Sequence, residues 1–191
     1  MTTPTDGWDA VVLAGGESRR MGGGDKVALD VGGRSMLERV IAAVAGAGRT
    51  VVVGPRRTTS TAVVWCVEDP PLTGPAAAVG AGLAHVTAPL VVLLAADQPL
   101  VDAHTVQALL GALADDPACA DGAVAVDGQD QPQWLCSAWQ AAALRDADLR
   151  ADMSLRRALA PLRWGRVPVA ATAAMDCDTP DDLRRVRELA R

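Results

Sequence analysis

The chain has 191 residues, a formal net charge of −5 and 50% apolar residues, with no Phe and no Tyr. The acidic balance argues against general nucleic-acid binding, and no apolar run approaches the roughly 20 residues that span a bilayer. The polar start, residues 1–7, lacks the apolar region of a signal peptide and reads as frayed, so a cytoplasmic protein with no membrane contact is expected, built as one domain over residues 1–191.

Residues 8–13 are predicted as the first strand, apolar enough to be central and parallel. They run into Leu13-Ala14-Gly15-Gly16-Glu17-Ser18-Arg19-Arg20-Met21-Gly22-Gly23-Gly24-Asp25-Lys26. Glycines let the backbone turn tightly and approach a ligand closely. Turns of this kind aim several backbone N–H groups at one point, which suits an anion. Arg19, Arg20 and Lys26 outnumber Glu17 and Asp25, so the loop is positive within an acidic chain. Lys26 is the only lysine among the 18 Lys and Arg residues. Lysine offers a compact charge with rotatable donors where arginine is a planar fork, and a polyphosphate is held well by such a point charge. The loop is neither of two familiar phosphate loops. G-x-x-x-x-G-K-[ST] needs Gly before the lysine and Ser or Thr after it, where Asp25 and Val27 stand. No alignment of these glycines satisfies G-x-G-x-x-G.

Residues 27–31 lead to a turn at Gly32-Gly33. Ser35 and Glu38 form a predicted capping box for a helix that buries Leu37, Val40, Ile41 and Val44 and ends at Gly46 and Gly48. A second strand over 50–53, a polar loop over 55–61 and a third strand over 62–67 follow. Residues 69–75 form a Pro-rich turn, and 76–86 a helix of small residues. Residues 90–96 are a fourth strand, apolar throughout, with Asp97-Gln98-Pro99-Leu100 just beyond it. Asp102 caps the next helix, which buries Val106, Leu109, Leu110 and Leu113. Residues 122–126 read as a strand, Asp127-Gly128 as a turn, and 134–139 as a strand or strand–helix junction. A short basic helix covers 154–159, and late strand material is expected over 166–169 and 174–177. Thr179-Pro180-Asp181-Asp182 starts the last helix, with Thr as cap, Pro in the first turn and carboxylates beside it.

Strands alternating with helices give an α/β fold with a mainly parallel sheet. Ligands of such sheets bind beyond the carboxyl ends of the strands. The glycine loop, the turn at Asp69 and the carboxylate of Asp97 all fall at such ends. Asp97 suits Mg²⁺, which binds through one or two carboxylates plus substrate phosphates. A second acidic cluster, Asp176-Cys177-Asp178, lies just before the last helix, and one of its two carboxylates is expected to reach the metal. The four cysteines, Cys66, Cys119, Cys136 and Cys177, form no C-x-x-C pair, which argues against zinc, and neither His85 nor His104 lies in a motif.

The loop from Leu13 to Lys26 resembles L-A-G-G-x-S/A-x-R-M-G-x-D-K, which opens the nucleotidyltransferases of the molybdenum cofactor guanylyltransferase type, with one extra glycine. Gly74-Pro75 with Gly82-Leu83 resembles a second segment of that family, with Ala77-Ala78 in place of Ala-Gly. Trp134-Leu135 and Ser154-Leu155-Arg156-Arg157 resemble its acceptor half. The resemblance implies a three-layer, Rossmann-like nucleotidyltransferase fold. It implies transfer of GMP from GTP to molybdopterin or Mo-molybdopterin, with Mg²⁺ as cofactor, and molybdenum-insertion proteins and apo-molybdoenzymes as further partners. It assigns Arg20, Lys26 and Asp97 to catalysis. Leu13, Ala14, Gly15, Gly16, Lys26, Asp69, Gly74 and Asp97 fall to the nucleotide, and Asp97 and Asp178 to the metal. Asp176 and Asp178 stand where guanylyl relatives carry Asn, which resembles the cytidylyl relatives more closely, whereas Gly15-Gly16 favours the guanylyl side. Transfer of CMP, another phosphorylated acceptor, and a non-catalytic nucleotide-binding module are the alternative readings.

Overall fold

The computed structural model describes residues 7–16 and 24–190. Its centre is a sheet in the order β5-β4-β1-β6-β8-β7-β9, formed by β1 (Trp8–Leu13), β4 (Thr50–Val53), β5 (Val64–Cys66), β6 (Leu90–Ala95), β7 (Gly122–Val126), β8 (Pro132–Gln140) and β9 (Trp164–Pro168). β1 pairs in parallel with β4 and β6, β4 with β5, and β7 with β9; β8 alone runs against its neighbours. The fold expected from the sequence is therefore present: a mostly parallel sheet between helical layers.

Alternation along the strands decides which layer each side chain joins. Ala10 and Val12 of β1 pack with Val92 and Leu94 of β6 beneath α1 (Met36–Ala43) and α3 (Ala103–Asp115). Val11, Val51, Val91 and Leu93 face the opposite layer of α2 (Pro75–Leu83), α4 (Ala141–Asp146) and α5 (Leu155–Leu159). Both faces are covered, which is why β1 and β6 read as continuous apolar runs. α2 lies very close to the sheet: a Cβ on Gly82 would sit 2.5 Å from Val11 Cγ1. Among the described residues, no helix is long and apolar enough to cross a membrane.

Several local readings change. Residues 27–31 form a 3-10 turn (Lys26–Ala28) and the first strand of a small hairpin, β2 (Asp30–Val31) with β3 (Arg34–Ser35). The α1 capping box is half made. Ser35 Oγ accepts from the Glu38 N–H at 3.2 Å, but the Glu38 carboxylate turns to the Ser60 N–H and hydroxyl, both at 2.6 Å. Ser35 also closes the hairpin opposite Asp30, so its backbone belongs to two elements at once. The strand–helix junction after residue 134 is real: β8 passes directly into α4. β8 bulges by three residues, 134–136, since its pairing jumps from Ser137 to Gln133 while β7 advances one residue. Ser137 Oγ donates to the Trp134 carbonyl at 2.7 Å and accepts from Trp139 Nε1 at 2.8 Å, which holds the bulge.

The expected late strand over 174–177 is absent. Residues 171–174 turn instead, and the chain crosses from β9 to the carboxyl end of β6. There the Cys177 N–H donates to the Asp97 carbonyl at 3.0 Å. Ala173, Ala174 and Cys177 are buried by covering the end of the sheet; burial, not pairing, explains their apolar character. The crossing ends at α6 (Pro180–Leu189), whose capping box is complete: Thr179 and Asp182 bond each other's backbone. Asp182 also accepts from the Asp178 N–H at 3.2 Å, so the cap fixes the backbone under Asp178. Thr179→Ala is expected to cost about 1 kcal/mol. In a chain of this size that lowers the melting temperature by about 2–4 °C, readable by calorimetry against the unchanged protein.

Candidate active site

At the carboxyl ends of β1, β4 and β6 the sheet opens into a cleft of about 1110 Å³. Leu13, Ala14, Gly15, Gly16, Lys26, Gly74, Asp97 and Asp178, all expected at the site, line it. Asp69 is exposed and does not line the cleft, whereas its neighbour Glu68 does. Glu68 accepts from the Leu72 N–H at 2.9 Å and so braces the Pro-rich turn. Arg20 lies outside the described residues.

The strand ends hold the loop entrance by backbone bonds. The Ala14 N–H donates to the Val53 carbonyl at 2.8 Å, and the Ala96 N–H to the Leu13 carbonyl at 2.9 Å. Gly54 makes this close stacking possible. Its φ is 145°, and a Cβ there would lie 2.8 Å from the Ala14 carbonyl and the Gly15 nitrogen. Across the cleft, Gly74 at φ 100° caps α2, with Pro75 in the first turn. Gly74 and Pro75 line the cleft, so the positive end of α2 faces it.

Lys26 joins the two carboxylates that the fold brings together. Its Nζ donates to Asp97 Oδ2 at 2.7 Å and to Asp178 Oδ1 at 2.6 Å. Its side chain is 12% exposed, against 29% for Asp97 and 48% for Asp178. Burial works against the ammonium, but the hydrogen bonds to Asp178 and Asp97 and the charges of both carboxylates outweigh it, holding its pKa above the ordinary 10.5. Lys26 is therefore charged at neutral pH.

Asp176 and Asp178 bond different partners, although residues two apart on a regular strand would share a face; residues 175–178 form no strand, which frees them to diverge. Asp178 enters the cleft, while Asp176 accepts from Gln98 Nε2 at 3.0 Å. Burial pushes the Asp176 pKa up, and the charges of Asp97 and Asp178 add to this against the Gln98 hydrogen bond and the Lys26 charge. Asp97 and Asp178 are hard oxygen donors beside the glycine loop, and Mg²⁺ asks for no more from a protein when phosphates complete its shell. Among the described residues, no three His, Cys, Asp or Glu side chains gather into a full protein-only metal cage. The four cysteines are free thiols. Burial pushes Cys136 up to about 12 and Cys177 up to about 11, which leaves both as unreactive thiols at neutral pH.

Arg57 is a site residue that the sequence reading left inside a polar loop. Its guanidinium meets the Asp25 carboxylate through two hydrogen bonds, Nε at 2.6 Å and Nη2 at 2.8 Å. Two arginines follow Pro55 in that loop, but nothing in the sequence tells which of them turns inward.

A mostly parallel sheet with a basic glycine loop and a carboxylate pair at its carboxyl edge defines the Rossmann-like, nucleotide-handling class of α/β proteins. Within that class, residues 10–169 match the family model described as the MobA-like NTP transferase domain, and the chain belongs to this family. It is 32% identical over 130 residues to a molybdenum cofactor guanylyltransferase of Shewanella amazonensis, covering 65% of each chain. The match thus spans just under two thirds of that relative's length. Among solved structures, a nucleotidyl transferase from Methanothermobacter thermautotroptrophicus superposes with TM-score 0.79 at 19% identity, covering 96% of this chain and 97% of that one. The 2-C-methyl-D-erythritol 4-phosphate cytidylyltransferase of Thermus thermophilus superposes with TM-score 0.70 at 22% identity, covering 95% and 98%.

Proposed function

We propose that this protein is a nucleotidyltransferase that joins GMP from GTP to the terminal phosphate of molybdopterin, giving molybdopterin guanine dinucleotide and pyrophosphate. The observation that carries this reading is the meeting of Lys26 with Asp97 and Asp178 in the cleft. The guanylyltransferase relatives support GTP and a molybdopterin acceptor.

In the reaction an acceptor phosphate oxygen attacks the α-phosphorus of GTP, and the bond from that phosphorus to the α,β-bridging oxygen breaks. An acceptor phosphate is already anionic, so no strong base is required. Catalysis is then mostly positioning and charge stabilisation. Asp97 and Asp178 would hold Mg²⁺, which when bound supplies positive charge to the phosphates. Lys26 bridges that carboxylate pair here and offsets one of its two charges; released from it, the ammonium is placed to hold the β- and γ-phosphates and to stabilise the departing pyrophosphate. Gly15 and Gly16 bring backbone to the phosphates, and the α2 N-terminus favours the same charge.

Transfer of CMP is the second reading, favoured by Asp176 and Asp178 where guanylyl relatives carry Asn. Guanine presents N–H donors and a carbonyl acceptor, and a site built for such an edge rejects a mismatched base strongly. GTP with Mg²⁺ is therefore expected to raise the melting temperature more than CTP at equal concentration. A hundredfold excess over Kd is worth about 2.7 kcal/mol, or about 5–10 °C for a chain of this size. A larger shift with CTP overturns the base assignment. Pyrophosphate release with purified molybdopterin separates an enzyme from a nucleotide-binding module, which binds without releasing it.

A further inference from the structure

We propose that Arg57 is a positioning residue that ties the two ends of the glycine-rich loop together and so sets where Lys26 stands. The proposal rests on the nucleotidyl-transfer reading for its effect on turnover, while the tie itself rests on geometry alone.

Arg57 reaches the chain on both sides of the loop. Its Nε and Nη2 grip Asp25, the residue before Lys26, at 2.6 and 2.8 Å. Its Nη1 donates to the carbonyl of Ala14, the residue before Gly15-Gly16, at 3.2 Å, and to its own loop at the Pro55 carbonyl at 2.9 Å. These four bonds occupy four of the five N–H donors of a guanidinium. The side chain is only 18% exposed. A planar fork bound to a carboxylate on two atoms fixes direction as well as distance, which a lysine cannot reproduce.

The consequence follows from loop entropy. Ala14 and Asp25 flank residues 15–24 in the chain. Holding these two points to one guanidinium lowers the entropy of the chain between them, so less ordering remains to be done when a polyphosphate binds. The pairing also neutralises Asp25, a carboxylate that lines the cleft and would otherwise repel phosphates. The anchor is firm, because Arg57 stands just beyond β4, whose Val53 carbonyl accepts from the Ala14 N–H.

Two measurements test the tie on Arg57→Gln, Asp25→Asn and the double variant. The first uses the whole protein without nucleotide and reads tryptic cleavage after Arg19 and Arg20 by mass spectrometry. Cleavage follows the population of the opened loop, and its rate is expected to rise about tenfold in both single variants at near-constant melting temperature. An unchanged rate in both overturns the proposal. The second reads GTP affinity and the split between kcat and KM. Arg57→Gln is expected to weaken nucleotide use by about thirtyfold to a hundredfold, mostly in KM, as a displaced loop does. Asp25→Asn should move it in the same direction, and the double variant should be no worse than Arg57→Gln, because all three break one bridge. Additive losses, or a silent Asp25→Asn beside a severe Arg57→Gln, overturn the proposal, since the guanidinium then acts on the ligand directly. Should Arg57→Gln fold poorly, Asp25→Asn carries both measurements. If the cleavage result holds while the unchanged protein turns over no nucleoside triphosphate, the nucleotidyl reading fails and the tie stands.

Discussion

Asp97→Asn is expected to lower kcat by about a thousandfold, because a Lewis acid supplies several kcal/mol of charge stabilisation and each 1.4 kcal/mol is tenfold in rate. Asp178→Asn is expected to stay within about tenfold of the unchanged protein by the same scale. Both carboxylates touch Lys26, so contact alone does not rank them. Asp97 follows the central strand β6, is the less exposed of the two, and its carbonyl anchors the incoming Cys177 N–H. Its backbone is held by the Cys177 N–H and its carboxylate by Lys26. Asp178 stands on the cap of α6, more exposed, where the resembling guanylyltransferases carry Asn. An Asn there keeps an acceptor oxygen for Lys26. Pyrophosphate release titrated with Mg²⁺ reads the difference. If Asp178→Asn abolishes metal-dependent turnover while Asp97→Asn leaves it, the ranking of the two ligands is reversed.

What the sequence revealed depended on how locally each feature is determined. β1 and β6 are buried on both faces, so their apolar runs were plain. The caps at Ser35, Asp102 and Thr179 were readable because a cap involves residues three apart. The convergence of Lys26 with Asp97 followed from topology, since parallel strands place their carboxyl ends on one edge. The resemblance, not the residues themselves, picked Asp178 over Asp176, and the crossing from β9 to β6 brings Asp178 into the cleft. The same crossing misled the strand reading of 174–177: a segment that covers a sheet end buries apolar residues such as Ala174 and Cys177 just as a paired strand would. Asp69 and Glu68 are adjacent acids, and the backbone of one turn decides which faces the cleft. Arg57 was invisible for a simpler reason. Its partner is 32 residues away, and no periodicity marks a guanidinium that leaves a polar loop to grip another one. The short α4 follows a strand with no turn between them, so it offered no start signal of its own.

Lys26→Ala is expected to lower kcat/KM by about a hundredfold to a thousandfold, the range seen when one preorganised donor to developing charge is removed. Lys26→Arg is expected to lose at least about tenfold, because the two cations differ in shape. The site explains why the difference matters. Nζ accommodates Asp97 Oδ2 and Asp178 Oδ1 within 2.7 Å of a single nitrogen. A guanidinium spreads its donors across a plane and matches both oxygens of one carboxylate better than one oxygen from each of two. An arginine would therefore bind one acid in a fork and leave the other unpaired, in a pocket where Lys26 is 12% exposed. It would also surrender that fork reluctantly when phosphates arrive, whereas a rotatable ammonium exchanges partners one hydrogen bond at a time. Loss in the alanine variant should fall on kcat as well as KM, since the charge acts on pyrophosphate as it leaves. Steady-state rates of both variants with GTP, at saturating acceptor and Mg²⁺, decide the question. Full activity of Lys26→Arg would show that the cleft needs positive charge at this position but not the compact shape of the chain's single lysine.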